Sequence, residues 1–259
     1  MSGGFETELD VLCGWPVDVV RYFVRTAPKT FFYVPDFINT EMETELLHKI
    51  YAVGQWRYLS NRRLQIWGGI PQRNGMIAEK IPDWLSNLMD RVTNLGVFGP
   101  NRANHVLINE YKPGQGIMPH HDGPLYYPVV TTVNLGGHSV LDFYRPVANG
   151  AENASLSNRY VGSALLMPRS LNIITGSMYT YYMHGIEERQ CDILPQLQIH
   201  DKSILSAESD GFIEKKLFNF DQIPSLDELV CPLKRETRVS ITIRHVPNTK
   251  NVDLSRIFK

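Results

Sequence analysis

From Asn104 onward the chain is a series of short β-type runs broken by Gly and Pro: HVLINEY, PVVTTVNLG, SVLDFY, LNIITG, MYTYYMHGI and TRVSITIRHV. Short strands at such close spacing point to a sandwich or barrel. The part before them reads differently. Thr40 and Glu43 have capping-box spacing, and Leu46, Leu47 and Ile50 follow at helical intervals, which predicts a helix from about Thr40. A short apolar run, Phe31 to Val34, precedes it. A second helix is expected near Pro82, a favoured first-turn residue, with Leu85, Leu88, Met89 and Val92 as its apolar stripe. Residues 187–236 lack the strand pattern and carry the polar stretches HDKS and SAESDG, so they are expected to be an insertion, partly mobile. Residues 148–158 read as a second exposed loop. The 259 residues are expected to form one domain: helices and a lid over about 40–95, a strand core over about 104–186 and 237–247, and the insertion.

Hydrophobic residues make up 43% and charged residues 20%, the balance of an ordinary globular protein. Lys plus Arg number 26 against 27 Asp plus Glu, so any basic footprint must be local. Cys13, Cys191 and Cys231 are widely spaced without a CxxC pair, which argues against a disulfide framework and a structural zinc site. The segment MSGGFETELD lacks the basic and apolar pattern of a secretory signal, and no run is long enough to span a membrane. Cytoplasm and nucleus are the expected locations.

Within GIMPHHDGPLYYP, His120 and Asp122 stand two apart in a segment of β character, so both can face one ion while His121 points away. A third ligand should come from another strand, and His184, just before a Gly in YYMHGI, is the best candidate. Two His and one carboxylate leave coordination positions open, the arrangement that suits Fe(II) with an organic co-substrate and O2. A lone HxD also arises by chance, and on these three residues zinc competes with iron. The closing strand adds a second constellation. Arg238, Ser240, Thr242 and Arg244 alternate with Val239, Ile241 and Ile243, giving one face two guanidinium groups, two hydroxyls and no acid. A solvent-facing amphipathic strand would read the same way, but a buried Arg on that face could pair with a carboxylate in bidentate fashion. In HVLINEYKPG, Asn109 and Tyr111 share one face and can donate to carboxylate or keto oxygens, with Val106 and Ile108 on the other.

These residues, with the segments RLQIWGG, ANHVLINEYKPGQGIMPHHDGPLYYP, GGHSVLDFY, GSMYTYYMHGI and RVSITIR, resemble the AlkB-like 2-oxoglutarate and Fe(II)-dependent dioxygenases. The likeness runs from about Phe31 to Ile186 and resumes at about Thr237. It implies an α+β fold: a double-stranded β-helix, or jelly roll, braced by the N-terminal helices. It implies iron ligation by His120, Asp122 and His184. It also implies 2-oxoglutarate contacts from Asn109, Tyr111, Arg238 and Ser240, with Arg244 closing the pocket near the iron. The implied chemistry is decarboxylation of 2-oxoglutarate to succinate, coupled through O2 to hydroxylation of a C–H bond; an N-methyl group so treated is lost as formaldehyde. The DNA-repair members carry an acidic residue shortly after HxD, whereas here Gly123, Pro124 and Leu125 follow, against base recognition of that kind.

The local basic footprint falls between Gln55 and Ala78, where Arg57, Arg62, Arg63 and Arg73 occur without an acid and Trp56, Tyr58 and Trp67 are interleaved. Cations for phosphate and aromatic faces for stacking suit single-stranded or damaged nucleic acid, and Arg62, Arg63 and Trp67 are the expected substrate contacts. An ordinary Arg-containing loop would look alike. A protein or peptide side-chain oxygenase, and a catalytically silent binding module, remain alternatives. Oligomeric state has no signature in the sequence.

Overall fold

The computed structural model describes residues 14–28, 30–147, 155–194, 197–199, 215–224 and 228–251. Two antiparallel sheets face each other. The larger contains β1 (Phe31–Val34), β2 (Arg57–Tyr58), β3 (Arg63–Trp67), β5 (His105–Tyr111), β7 (Val129–Gly136), β10 (Leu171–Thr175) and β16 (Arg238–Arg244), in the order β1-β10-β7-β16-β5-β3-β2. The smaller has the order β6-β11-β8-β9, built from β6 (Ile117–His120), β8 (Ser139–Tyr144), β9 (Tyr160–Leu166) and β11 (Met183–Ile186). β4 (Met76–Ile77) pairs with β17 (Thr249–Lys250) beside the larger sheet. This is the jelly roll that the resemblance implied, with strands distant in sequence made neighbours.

Helix α2 (Thr40–Val53) begins one residue earlier than its capping-box reading. Asn39 is the N-cap, its side chain accepting from the Met42 amide, and Gly54 closes the helix in the left-handed region at φ 65°. Glu43 is therefore released from capping, and its carboxylate accepts from the Gly136 amide at 2.8 Å and the Arg169 guanidinium at 3.1 Å, tying the helix to the sheet. Helix α3 (Asp83–Thr93) starts after Pro82, which occupies the N-cap position, and buries its whole expected stripe. Both helices pack on the outer face of the larger sheet through Leu46, Ile50, Leu85, Met89, Val106, Ile108 and Ile241. The short helix α1 (Val17–Val20) adds Val19 to that core. A further single turn, α4 (Leu156–Arg159), leads directly into β9.

Two expectations are corrected. The run MYTYYMHGI is not one strand: Gly176–Thr180 forms a short helix, α5, and only Met183–Ile186 pairs as a strand. Gly176 sits at φ 52°, where a Cβ would stand 2.2 Å from the Thr30 hydroxyl oxygen, so the chain turns there whatever the β propensity of the residues that follow. The stretch 187–236, expected to be a partly mobile insertion, is packed into the fold in its described parts. Its described parts pair with one another, β12 (Cys191–Asp192) with β15 (Leu233–Lys234) and β13 (Gln198–Ile199) with β14 (Val230–Cys231). They also supply Ile193, Leu194, Leu217, Phe218 and Cys231 to the core beside the smaller sheet. HDKS and SAESDG lie outside the described residues, as do residues 148–154 of the expected loop.

Buried ion pairs fasten that stretch. Lys215 donates to Asp142 at 2.7 Å and to Glu187 at 3.2 Å. Asp192 receives a two-pronged bond from Arg235, at 2.6 and 2.7 Å, and a contact from His138 at 3.2 Å. Burial pushes the Asp192 carboxyl up, but Arg235 and His138 outweigh it and hold the group at about 2. A depressed carboxylate contributes stability above its ordinary range and loses it as pH falls from about 4 toward 2. Asp192→Ala is expected to cost about 3 kcal/mol by stranding Arg235, and to flatten the loss of stability over that acid window. Urea unfolding at several pH values checks both, and a variant with the unchanged protein's acid limb would remove Asp192 from this role.

Candidate active site

A cavity of about 270 Å³ lies between the two sheets. Its position follows from strand alternation. β16 runs between β5 and β7, so all seven of its residues are buried and its polar face turns inward. Arg238, Ser240, Thr242 and Arg244 line the cavity, while Val239, Ile241 and Ile243 enter the helix-side core. The solvent-facing reading of that strand is thereby removed. Asn109 and Tyr111 reach the cavity from β5, where Asn109 is paired in register with Ser240 and Tyr111 with Arg238. The smaller sheet supplies His120 and His184, opposite each other in the β6–β11 register. Gly185 permits that pairing, because a Cβ there would approach the Ile117 carbonyl and the Pro119 nitrogen to 2.9 Å.

His120 and Asp122 do not share a strand. β6 ends at His120, and Asp122 enters the cavity from the turn beyond it. His121 is not turned wholly away: it lines the rim, its Nε2 lying 3.0 Å from the Tyr181 carbonyl. The His120 and His184 rings have centroids 4.7 Å apart, and His184 Nε2 is 3.4 Å from Asp122 Oδ2. His120 Nδ1 is 2.8 Å from the Met118 carbonyl, a contact that orients an imidazole and leaves Nε2 for a ligand role. Asp122 Oδ1 accepts from Arg244, whose guanidinium stacks on the Tyr126 ring.

Among the described residues no three His, Cys, Asp or Glu side chains form a metal-holding group, and Arg244 engages Asp122 through Oδ1. The donor chemistry nevertheless fits a metal. Asp122 Oδ2 is buried without a hydrogen-bond partner, and His184 Nε2 faces it at 3.4 Å. Burial lowers the His184 imidazole to about 4, against the opposing pull of Asp122, so the ring is neutral as a ligand must be. Burial raises Asp122, but Arg244, His184 and His120 prevail and keep it ionised.

The other end of the cavity carries an unpaired cation. Arg238 is 4% exposed, and its guanidinium donates to Asn134 Oδ1 at 2.6 Å and lies 5.6 Å from the Tyr111 ring centre. Its Nε has no partner, and no carboxylate among the described residues pairs with it. Burial brings its pKa down to about 10, which leaves the group charged at neutral pH. An isolated buried charge is costly, so this site is built for an anion.

The sequence from residue 30 to 244 matches the family described as "2OG-Fe(II) oxygenase superfamily". The chain belongs to that superfamily. Membership carries Fe(II), 2-oxoglutarate and O2 as the family's cofactor and co-substrates. This oxygenase is 43% identical over 247 residues to a Danio rerio protein named "Probable RNA/DNA demethylase ALKBH6", covering 94% of this chain and 97% of that protein. It is 28% identical to "Uncharacterized protein L905" of Acanthamoeba polyphaga mimivirus, over 85% of this chain and 86% of that one. The solved structure of OsALKBH1 shares the fold, with TM-score 0.51 and 12% identity over 83% of this chain and 96% of that chain.

The expected substrate residues divide by strand parity. β3 pairs with β5 so that Arg63 lies opposite Glu110 and Trp67 opposite Val106, on the face away from the cavity. Arg63 spends its guanidinium on Glu110 at 2.7 and 2.8 Å and stacks on Trp56. Trp67 packs on the helix-side core, edge-on to Trp84, with its indole N–H on Gln65. Both are engaged within the fold, and neither lines the cavity. Arg62, one position before β3, does line the cavity. The sequence reading missed Asn134, which holds Arg238, and Thr132 and Asn172 in the cavity wall. Alternation along β7 places Thr132 and Asn134 on one face and was available to find both.

Proposed function

We propose that this oxygenase oxidatively demethylates N-alkylated nucleic acid, with iron held by His120, Asp122 and His184 and 2-oxoglutarate by Asn109, Tyr111, Arg238 and Ser240. The observation that carries the reading is Arg238, a buried guanidinium without an acid, in the same cavity as a neutral His184 imidazole and an ionised Asp. A carboxylate is the partner that such a fork takes in bidentate fashion. Bound iron with O2 supplies the oxidation that turns 2-oxoglutarate into succinate and CO2 and places a hydroxyl on a C–H bond. The chain's own part is binding and orientation. Asn134 fixes the Arg238 fork, and burial pushes the Tyr111 phenol up so that it stays a donor. Leu107, Val130, Ile174 and Ile186 wall the cavity with apolar surface, which strengthens each polar contact inside.

Nucleic acid as substrate is supported by the likeness to the Danio rerio demethylase and by the hairpin beside the cavity, where Arg57 is exposed and Tyr58 is 76% exposed. A cation next to an open aromatic face suits a phosphate and a stacked base. Formaldehyde and succinate release are expected in equal amounts on N-methylated oligonucleotides, measured against methylated peptides and a no-substrate control. Formaldehyde from the peptides alone would transfer the reading to protein substrates.

A further inference from the structure

We infer that Arg62 is a positioning residue for 2-oxoglutarate, carried by the β2–β3 hairpin and acting through Asn109; the inference rests on the co-substrate site proposed above. Arg62 Nε donates to Asn109 Oδ1 at 3.1 Å. A guanidinium can only donate, so the amide atom facing it is the oxygen, and the amide nitrogen is left to the cavity. Asn109 Nδ2 has no protein partner among the described residues, which suits a donor reserved for a ligand carboxylate or keto oxygen. Without Arg62 nothing described in the cavity distinguishes the two ends of that amide.

The charge balance points the same way. Three guanidinium groups, Arg62, Arg238 and Arg244, line the cavity with one carboxylate, Asp122, which Arg244 engages. Arg62 has no acid partner among the described residues, unlike its neighbour Arg63. With no acid to pair with, the Arg62 guanidinium is left to hold the Asn109 amide oxygen.

Arg62 also ties the cavity wall to the outer edge of the sheet. It closes the β2–β3 turn, where the Leu59 amide donates to its carbonyl at 2.9 Å, and β2 has no neighbour beyond it among the described residues. Asn61 in the same turn donates to Glu188, just past β11, so the turn bridges the two sheets. Co-substrate that settles on Asn109 should therefore hold the hairpin closed, and a closed hairpin should hold the co-substrate, since the coupling is reciprocal.

The test titrates 2-oxoglutarate into the full chain loaded with Mn(II), by calorimetry, with no turnover required. Arg62→Ala is expected to weaken binding about tenfold, the loss of one charge-assisted contact, and Arg62→Lys to recover only part of it. Asn109→Leu should weaken binding similarly, and adding Arg62→Ala to it should change affinity by less than about twofold, because the two act as a unit. Arg63→Ala, on the opposite face, should lower Tm and leave the affinity alone. Saturating 2-oxoglutarate should slow chymotryptic cleavage at Tyr58 in the unchanged protein and not in Arg62→Ala, a response that a merely structural Arg62 would not give. Affinity within twofold of the unchanged protein in Arg62→Ala, or fully multiplying effects with Asn109→Leu, overturns this inference alone. No binding of 2-oxoglutarate to the unchanged protein overturns the co-substrate site and this inference together.

Discussion

Arg238→Met is expected to weaken 2-oxoglutarate binding at least about 30-fold while leaving the ligand-free protein at least as stable as before. The two halves of this expectation come from one observation, a guanidinium buried to 4% exposure with no carboxylate beside it among the described residues. In the ligand-free state the charge has lost its hydration, a cost of several kcal/mol per ion that only a partner offsets. Methionine of similar length removes that cost. It also strands Asn134 Oδ1, worth about 1–3 kcal/mol, so relief should equal or exceed the damage. In the loaded state the balance reverses, because the paired carboxylate would be left facing apolar surface, a loss on the order of 2 to 5 kcal/mol of binding. Arg238→Lys should fall between, since a point ammonium cannot reproduce a two-pronged bond. Urea midpoints and calorimetry with 2-oxoglutarate and Mn(II) measure the two sides. A large fall in the midpoint would make Arg238 a structural residue, and an unchanged affinity would end its assignment to the co-substrate.

That observation also marks what could be read before the fold. The alternation of RVSITIR put Arg238, Ser240, Thr242 and Arg244 on one face, and they remain on one face. Whether the face met water depended on strand order, and β16 is central only because β5 and β7, from elsewhere in the chain, flank it. Local spacing also gave the helix that buries Leu85, Leu88, Met89 and Val92. The same parity rule separates Arg62 from Arg63, but a count of basic residues between Gln55 and Ala78 merges them into one patch. The ties of residues 187–236 were out of reach for a different reason. Lys215 meets Asp142, 73 positions earlier, and Arg235 meets Asp192, 43 earlier, so charges that look like solvated surface are buried pairs. No local pattern encodes such partners.

Asp122→Ala and His120→Ala should both lose tight Fe(II) binding yet differ sharply in stability, a contrast that tests the metal assignment and its setting together. Asp122 has two engagements, Oδ1 with Arg244 and Oδ2 with no hydrogen-bond partner but 3.4 Å from His184. Truncating it removes one donor and strands a buried guanidinium, whose Nε already lacks a partner; breaking a buried pair costs roughly 3–5 kcal/mol. His120 is only partly buried, and its one hydrogen bond among the described residues joins it to the Met118 carbonyl in its own strand, so its loss should cost less than about 1 kcal/mol of fold. Both variants remove a donor from the proposed set of three, and affinity measured anaerobically by competition with a chelator should fall by orders of magnitude in each. The double change Asp122→Ala with Arg244→Met should regain most of the stability and none of the metal, because it removes the stranded charge without restoring a ligand. Wild-type Fe(II) affinity in either single variant would break the His120, Asp122 and His184 assignment. Full stability in Asp122→Ala would instead show that the Arg244 pair is not what holds this end of the cavity.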